Sequence, residues 1–218
     1  PALHQRLRER AGASVLERYG MTETVMLASN PYDGERRAGA VGFPLPGVDL
    51  RLDPATGEIQ VRGPNVFCGH WERPEATAEA FLPVGVAPTG GRWFRTGDLG
   101  AVDDDGYLSI VGRAKELIIT GGMNVHPREV DDVLADHPAV AEVAVAGVPS
   151  EEWGEEVVAW VVPGFGVPPP DVDDLRDFGR GRLAAHKLPR RVVVVDSLPR
   201  SSLGKVLRHE LCEAAAHG

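Results

Sequence analysis

Cysteine is scarce in this sequence, and the histidine patterns that bind zinc are missing. The two cysteines, Cys68 and Cys212, lie far apart and form no paired motif. This scarcity argues against a disulfide framework and a cysteine-bound structural zinc, and it is typical of proteins of the reducing cytoplasm. The seven histidines are scattered and include no H-E-x-x-H motif. We therefore expect a cytoplasmic protein without a zinc site.

Basic charge and long apolar runs are also in short supply. The 23 Lys and Arg residues face 32 Asp and Glu, for a net charge of −9 with no basic stripe. That balance argues against a general nucleic-acid binder, and an anionic ligand would need a local positive site. No apolar run approaches the roughly 20 residues of a membrane-spanning helix, so we expect no membrane span. The start of the chain has no signal-like character and reads as an entry into the middle of a longer sequence.

The commonest glycine-rich nucleotide motifs are absent. Gly204-Lys205 lacks the earlier glycine of a Walker loop, and no G-x-G-x-x-G opens a βαβ unit. What is present is an ordinary globular composition, with 43% apolar and 25% charged residues. The length of 218 residues indicates one large domain or two small ones.

The first half of the chain reads as a β-rich subdomain. Residues 3–11 predict a short helix, and residues 15–19 predict a strand. The segment 58–62 alternates polar and apolar residues, which predicts a half-buried strand. Further strands are expected at residues 48–52, 93–95, 99–102 and 107–111, with a hairpin turn at 104–106.

The second half reads as a small α+β domain of about 105 residues. Pro127, followed by early acids and by Val130, Val133 and Leu134 on one face, predicts a helix. Further helices are expected at residues 175–183 and 206–216, and strands at 140–148, 157–162 and 191–195.

Four short motifs follow one another along the chain. They are Tyr19-Gly20-Met21-Thr22-Glu23, Arg95-Thr96-Gly97-Asp98, Gly112-Arg113-Ala114-Lys115-Glu116-Leu117-Ile118 and Pro199-Arg200-Ser201-Ser202-Leu203-Gly204-Lys205. Each has a plain structural alternative: a polar turn for the first, a turn aspartate for Asp98, a surface salt bridge for Arg113 and an exposed lysine at a helix start for Lys205. Their occurrence together, in one order, is hard to obtain by chance.

Together the motifs resemble the adenylate-forming superfamily, which includes acyl-CoA synthetases, luciferases and peptide-synthetase adenylation domains. The resemblance covers essentially the whole chain. It implies an α+β fold, in which residues 1–111 form the β-rich C-terminal part of the large adenylating domain and residues 112–218 form a small α+β lid. It also places a hinge near Lys115, although a solvated strand residue is the alternative reading there.

The resemblance implies a nucleotide site in the first half. Tyr19 would pack on adenine, Thr22 would contact the α-phosphate, and Glu23 would help to hold Mg²⁺. Asp98 would accept both ribose hydroxyls, and Arg113 would lie near ribose and phosphate. A carboxylate pairs well with Mg²⁺, and its two oxygens suit a vicinal diol. Ile110 would lie near adenine, with a core strand residue as the alternative. The nucleotide-binding residues implied are Tyr19, Gly20, Met21, Thr22, Asp98, Ile110 and Arg113.

The resemblance also assigns roles in the lid. Lys205 would bridge the substrate carboxylate and the α-phosphate, where charge builds in the transition state. Gly121 and Gly122 would line the tunnel for the pantetheine arm of coenzyme A, with a simple β-turn as the alternative. The cofactors implied are ATP, Mg²⁺ and coenzyme A.

The segments 29–39, 42–48 and 63–67 resemble malonyl-CoA synthetases, which implies malonate or methylmalonate as the substrate. A dicarboxylate needs a cation for its second carboxylate. Arg36 and Arg37 could supply that cation, and they could equally be surface residues of a loop.

The serine-, threonine- and glycine-rich phosphate loop of the family, and most of the acyl pocket, would lie upstream of this chain. We therefore expect the missing N-terminal part in cis or as a separate chain, and little adenylation by this chain alone. The resemblance implies part of an ATP-dependent acyl-CoA ligase, and two alternatives to that function remain open. One is an adenylation module that loads a carrier protein, and the other is a noncatalytic, lid-like interaction module.

Overall fold

The computed structural model describes residues 2–83 and 91–216. The chain divides into two compact units, Pro1–Ala114 and Lys115–Gly218. Within the described residues, no helix combines the length and apolar character needed to cross a membrane.

The first unit is built on one antiparallel sheet of seven strands, in the order β1-β2-β3-β7-β6-β5-β4. Its strands are β1 (Arg18–Tyr19), β2 (Ala28–Ser29), β3 (Ala40–Pro44), β4 (Asp49–Leu52), β5 (Glu58–Arg62), β6 (Phe94–Val102) and β7 (Leu108–Arg113). Its helices are α1 (Ala2–Ala11) and α2 (Pro74–Ala80). The core contains the fully buried Leu27, Ile59, Val61 and Leu108.

Strand β5 is buried on both faces, so the prediction of a half-buried strand is wrong. Glu58 and Gln60, expected to face solvent, are 5% and 2% exposed. Each polar side chain has partners: Glu58 pairs with Arg95, and Gln60 bonds to Arg51 and Asp53. Buried polar groups persist only when their hydrogen bonds are satisfied, and here the neighbouring strands and the residue after β4 satisfy them.

The second unit has a five-stranded sheet. Its strands are β8 (Ile118–Thr120), β9 (Met123–Val125), β10 (Val140–Ser150), β11 (Gly154–Pro163) and β12 (Arg191–Val194). Its helices are α3 (Pro127–Leu134), α4 (Val172–Gly179) and α5 (Arg208–Ala216). The order is β10-β11-β8-β9, and β12 pairs with β11 in parallel.

Helices cover both faces of the central pair β10–β11. On one face Val145, Val157 and Val161 pack with residues of α3 and α4. On the other face Val158 and Trp160 pack with residues of α5. A strand covered on both faces reads as a nearly continuous apolar run, which is why β10 and β11 could be predicted from the sequence.

Several predicted boundaries are wrong. The helix expected at 175–183 runs from Val172 to Gly179, because Asp171 and Asp174 form a reciprocal capping box that starts it earlier. The strands expected at 93–95 and 99–102 form one strand, β6, with an irregularity between Leu99 and Gly100. The strand expected at 15–19 is limited to Arg18–Tyr19. Sequence patterns missed α2 and the short hairpin β8–β9.

Candidate active site

Three of the predicted nucleotide-site residues meet in the first unit. Tyr19 donates a hydrogen bond from Oη to Asp98 Oδ2 at 2.7 Å. Arg113 Nε lies 3.1 Å from Asp98 Oδ1. Asp98 and Arg113 are directly opposite each other on β6 and β7, so the sheet register sets their contact. The Asp98 side chain is 7% exposed and that of Arg113 is 55% exposed, so the cluster has a buried side and an open side.

The carboxylate of Asp98 stands at the centre of this cluster. Burial raises the pKa of the Tyr19 hydroxyl above its usual range, and Asp98 raises it further, so the phenol remains a hydrogen-bond donor. An ionised carboxylate offers about four lone-pair positions, and Tyr19 and Arg113 occupy two of them. Both oxygens of Asp98 can therefore accept a further hydrogen bond from a ligand.

A buried acid that sequence reasoning missed holds the turn before Asp98. Glu58 accepts a hydrogen bond from Gly97 N at 3.1 Å and one from Arg95 Nε at 2.9 Å. Gly97 has φ of +72°, a conformation that glycine adopts without steric cost. The signal in the sequence was that Glu58 lies on the same short strand as Ile59 and Val61, both of which are fully buried.

The loop that follows Tyr19 is tightly folded. A Cβ at Gly20 would lie 2.0 Å from the carbonyl oxygen of Val25, so only glycine fits there. Val25 itself has φ of +58°, which is rare for a β-branched residue. Asn65 ties the loop down, because its Nδ2 donates to Thr24 O at 2.8 Å and to Met26 O at 3.1 Å.

This loop carries Thr22 and Glu23, the two residues predicted to contact a phosphate and a metal ion. Thr22 is exposed and Glu23 is half-buried. Among the residues that the structure describes, the Glu23 carboxylate has no ion-pair partner, and no three His, Cys, Asp or Glu side chains converge. One available carboxylate fits Mg²⁺, which is usually held by one or two carboxylates together with substrate phosphates.

The remaining predicted residues of the first unit pack or form hydrogen bonds within that unit. Met21 and Ile110 are partly buried and pack against the core of that unit. Arg36 donates to the carbonyl oxygens of Ser14 and Tyr32. Arg37 is engaged as well, by carboxylates, including Asp103 and Asp105. The surface-loop interpretation of Arg36 and Arg37 is therefore the one that their contacts favour.

In the second unit, Lys205 closes a small hairpin loop. Arg200 and Val206 form an antiparallel bridge, and Ser201 N donates to Lys205 O at 2.8 Å. Gly204 has φ of +79°, a conformation that glycine adopts without steric cost, so the turn favours glycine. Lys205 is exposed and has no ion-pair partner among the described residues. Its ammonium is thus presented outward from a defined turn.

Gly121 and Gly122 form the two-residue turn of the β8–β9 hairpin. Thr120 pairs with Met123, and both glycines have positive φ, +55° and +78°, as a type I′ turn requires. A Cβ at Gly121 would approach the Trp153 ring at 3.3 Å, whereas a Cβ at Gly122 would meet no atom of the described residues within 4 Å. The β-turn expected as the alternative is present, and glycine has a structural reason at both positions.

Lys115, the predicted hinge residue, is exposed and lies in a three-residue helical turn, Ala114–Glu116. It is the first residue of the second unit. Among the described residues, no ion pair involves its side chain.

Two family models match the chain. "AMP-binding enzyme" matches residues 1–71, and "AMP-binding enzyme C-terminal domain" matches residues 129–205. Asp98, Arg113 and Lys115 lie between these two ranges, and Lys205 is the last residue of the second.

Curated relatives include CoA ligases for several acids. An indoleacetate–CoA ligase of Aromatoleum aromaticum is 43% identical, over 95% of this chain and 41% of the relative. A 2-succinylbenzoate–CoA ligase of Geobacillus kaustophilus is 44% identical, over 92% of this chain and 41% of the relative. A malonate–CoA ligase of Arabidopsis thaliana is 38% identical, over 97% and 36%. This chain therefore spans about two fifths of the length of such relatives.

Among solved structures, ATP-bound MatB from Rhodopseudomonas palustris matches with a TM-score of 0.88 and 44% identity. The match covers 98% of this chain and 43% of that one.

Proposed function

Because this chain belongs to the family of adenylate-forming AMP-binding enzymes, we propose that it is the C-terminal portion of an ATP-dependent acid–thiol ligase. The complete enzyme joins a carboxylate to ATP, which gives an acyl-adenylate and pyrophosphate. It then transfers the acyl group to the thiol of coenzyme A and releases AMP. The observation that carries this proposal is the buried Asp98 carboxylate, held by Tyr19 and Arg113 with acceptor positions left for a ligand.

The proposed nucleotide site has the ribose on Asp98. The 2′- and 3′-hydroxyls donate to the two oxygens of Asp98, and Arg113 provides local positive charge beside them. Thr22 donates to the α-phosphate, while Glu23 supplies an oxygen ligand for Mg²⁺. Held there, Mg²⁺ would supply positive charge that offsets the charge of the phosphates.

Lys205 is proposed as the catalytic cation of the first half-reaction. A carboxylate oxygen of the acid attacks the α-phosphorus, and the bond from that phosphorus to the pyrophosphate oxygen breaks. The ammonium of Lys205, on its exposed hairpin loop, stabilises the charge that develops on the attacking and phosphate oxygens. For the second half-reaction we propose that the chain rotates about Lys115, so that Lys205 leaves and Gly121-Gly122 approaches coenzyme A.

We propose malonate or methylmalonate as the acid, and a cytoplasmic location. The first proposal is supported by the resemblance of segments 29–39, 42–48 and 63–67 to malonyl-CoA synthetases. The relatives named above act on indoleacetate, 2-succinylbenzoate and malonate, so the family accepts chemically different acids. An ATP–pyrophosphate exchange assay in which these three acids compete would show which of them the enzyme prefers.

The test uses this chain mixed with the N-terminal half of R. palustris MatB, called here the reconstituted pair. Malonate-dependent exchange between ATP and labelled pyrophosphate is measured for each half alone and for the reconstituted pair. We expect exchange only in the pair. Absence of exchange with malonate, indoleacetate and 2-succinylbenzoate, together with stable association of the two halves, would contradict the ligase proposal and support a noncatalytic interaction module. Capture of the acyl group by a carrier-protein thiol in preference to coenzyme A would favour the carrier-loading alternative.

A further inference from the structure

One arginine in the second unit joins three separate segments. Arg208, the first residue of α5, donates from Nε to Val145 O on β10 at 3.0 Å. Its Nη1 donates to Glu116 Oε2 at 3.1 Å, and its Nη2 donates to Asp131 on α3. The side chains of Arg208, Glu116 and Asp131 are 20%, 34% and 16% exposed. We call this group the Arg208 clamp.

The clamp is a specific arrangement and not a loose surface ion pair. A cation at the first position of a helix is disfavoured by the helix dipole, and two carboxylates offset that cost here. The planar guanidinium can bind three acceptors in fixed directions, which a lysine ammonium cannot reproduce. Asp131 is itself fixed, because it accepts a second hydrogen bond from Val145 N at 2.7 Å.

The clamp connects two of the three segments of this unit to which function is proposed: the hinge turn and the loop that carries Lys205. Glu116 follows the proposed hinge residue Lys115 in the turn Ala114–Glu116. Arg208 lies three positions after Lys205, and Leu207 N donates to Pro199 O at 2.9 Å at the base of the same loop. Only a short, hydrogen-bonded stretch therefore separates the guanidinium from the proposed catalytic lysine.

We propose that Arg208 is a positioning residue, which fixes the Lys205 loop to the Glu116 turn so that both move as one body about the hinge. The proposal rests on the role proposed above for Lys205. Because Glu116 and Lys205 lie on segments joined through Arg208, a change at Glu116 reaches the Lys205 loop through that side chain.

The first experiment measures amide hydrogen exchange by NMR on this chain alone, so it needs no activity. Glu116→Ala should speed exchange of the loop amides of Ser201, Gly204 and Leu207 by about threefold to tenfold, the scale of coupling between contacting residues. In an Arg208→Lys background the same change should have little further effect. Glu156→Ala, which removes the partner of Arg191 in the same unit, is the matched control and should leave the loop amides unchanged.

Two results would overturn the proposal: loop exchange unaffected by Glu116→Ala, or affected equally in both backgrounds. The amides of Val158 and Trp160, in the buried centre of the sheet, report whether each variant is folded. Arg208→Lys keeps the charge and protects against loss of the fold.

A second readout uses the reconstituted pair. Arg208→Lys should slow adenylation about tenfold or more and leave thioester formation from added acyl-adenylate nearly unchanged, because only the first half-reaction uses Lys205. Equal losses in both half-reactions would indicate a purely structural role. If Lys205→Ala has no effect on adenylation while the exchange coupling is present, the proposed function fails and the clamp stands.

Discussion

At the scale of single residues, Lys205 carries the most specific chemical claim. Lys205→Ala should lower adenylation by the reconstituted pair by roughly 10²–10³, the effect of removing one group that stabilises transition-state charge. Pyrophosphate exchange measures it. Lys187→Ala is the control, because Lys187 is already paired with Glu129. Adenylation near the unmodified rate in Lys205→Ala would remove Lys205 from the mechanism.

The hydroxyl of Tyr19 should matter for the ribose and not only for packing. Tyr19→Phe removes the donor at 2.7 Å from Asp98 and should weaken ATP binding to the reconstituted pair about tenfold, as for a hydrogen bond to a charged group. Binding of 2′,3′-dideoxy-ATP, which lacks the diol, should change little. Tyr107→Phe, which removes a hydrogen bond to Glu35 O at 2.9 Å, serves as the control. Equal losses for both nucleotides would show that Tyr19 does not orient Asp98.

Val25 stores backbone strain in the loop that carries Thr22 and Glu23. Its φ of +58° is expensive for a β-branched residue, and its side chain is 75% exposed, so little packing depends on it. Val25→Asn should raise the free energy of unfolding by about 1 kcal/mol, measured by urea denaturation, because asparagine tolerates this conformation. Val102→Asn, at an exposed position in strand β6, should not stabilise. A neutral or destabilising Val25→Asn would mean that the φ value imposes no cost.

At the scale of elements, the sequence predicted those helices and strands that bury many apolar residues. Helix α3 was predicted because its apolar residues recur on one face, and strands β10 and β11 were predicted because they form nearly continuous apolar runs. Helix α2 has no buried residue, so no apolar face marks it in the sequence. The hairpin β8–β9 has three-residue strands, too short for a period to show.

The pairing of α3 with α5 should be visible in a titration. Burial raises the pKa of Asp131 to about 6, and Arg208 opposes that rise. Because the folded-state pKa is above the unfolded one, this group's contribution to stability is present below the unfolded pKa and is lost as pH rises through about 6. Carbon-13 NMR of the carboxyl should give that value, and Arg208→Met should raise it further. A value at or below the ordinary aspartate pKa would contradict the burial argument.

At the scale of the whole chain, each unit has a core of its own. Residues 115–218 contain a sheet covered on both faces, so this segment expressed alone should unfold cooperatively, with thermal circular dichroism as the measurement. Residues 1–114, expressed alone in the same way, provide the comparison. A non-cooperative transition for residues 115–218 would show that the unit depends on the rest of the chain.

Much of the candidate site was accessible from the sequence because its residues fall in short contiguous motifs. Tyr19, Asp98 and Arg113 lie in separate motifs, and strands far apart in sequence bring them into contact. Their roles toward a nucleotide stay a prediction. Glu58 and the Arg208 clamp were not predicted, because each acts through contacts that only the folded sheet creates. The motifs predict residues that would contact a ligand, but they do not identify the residues that fix those ligand-contacting residues in place.

Glu58 has a consequence for attempts to move this site into another protein. The segment Arg95–Asp98 is compact enough to graft as a peptide, but its turn is shaped by an acid on a different strand. A recipient scaffold given the motif alone would contain the four residues but would lack the carboxylate that shapes their turn. The smallest transferable piece is therefore two paired strands, β5 and β6, and not a sequence signature.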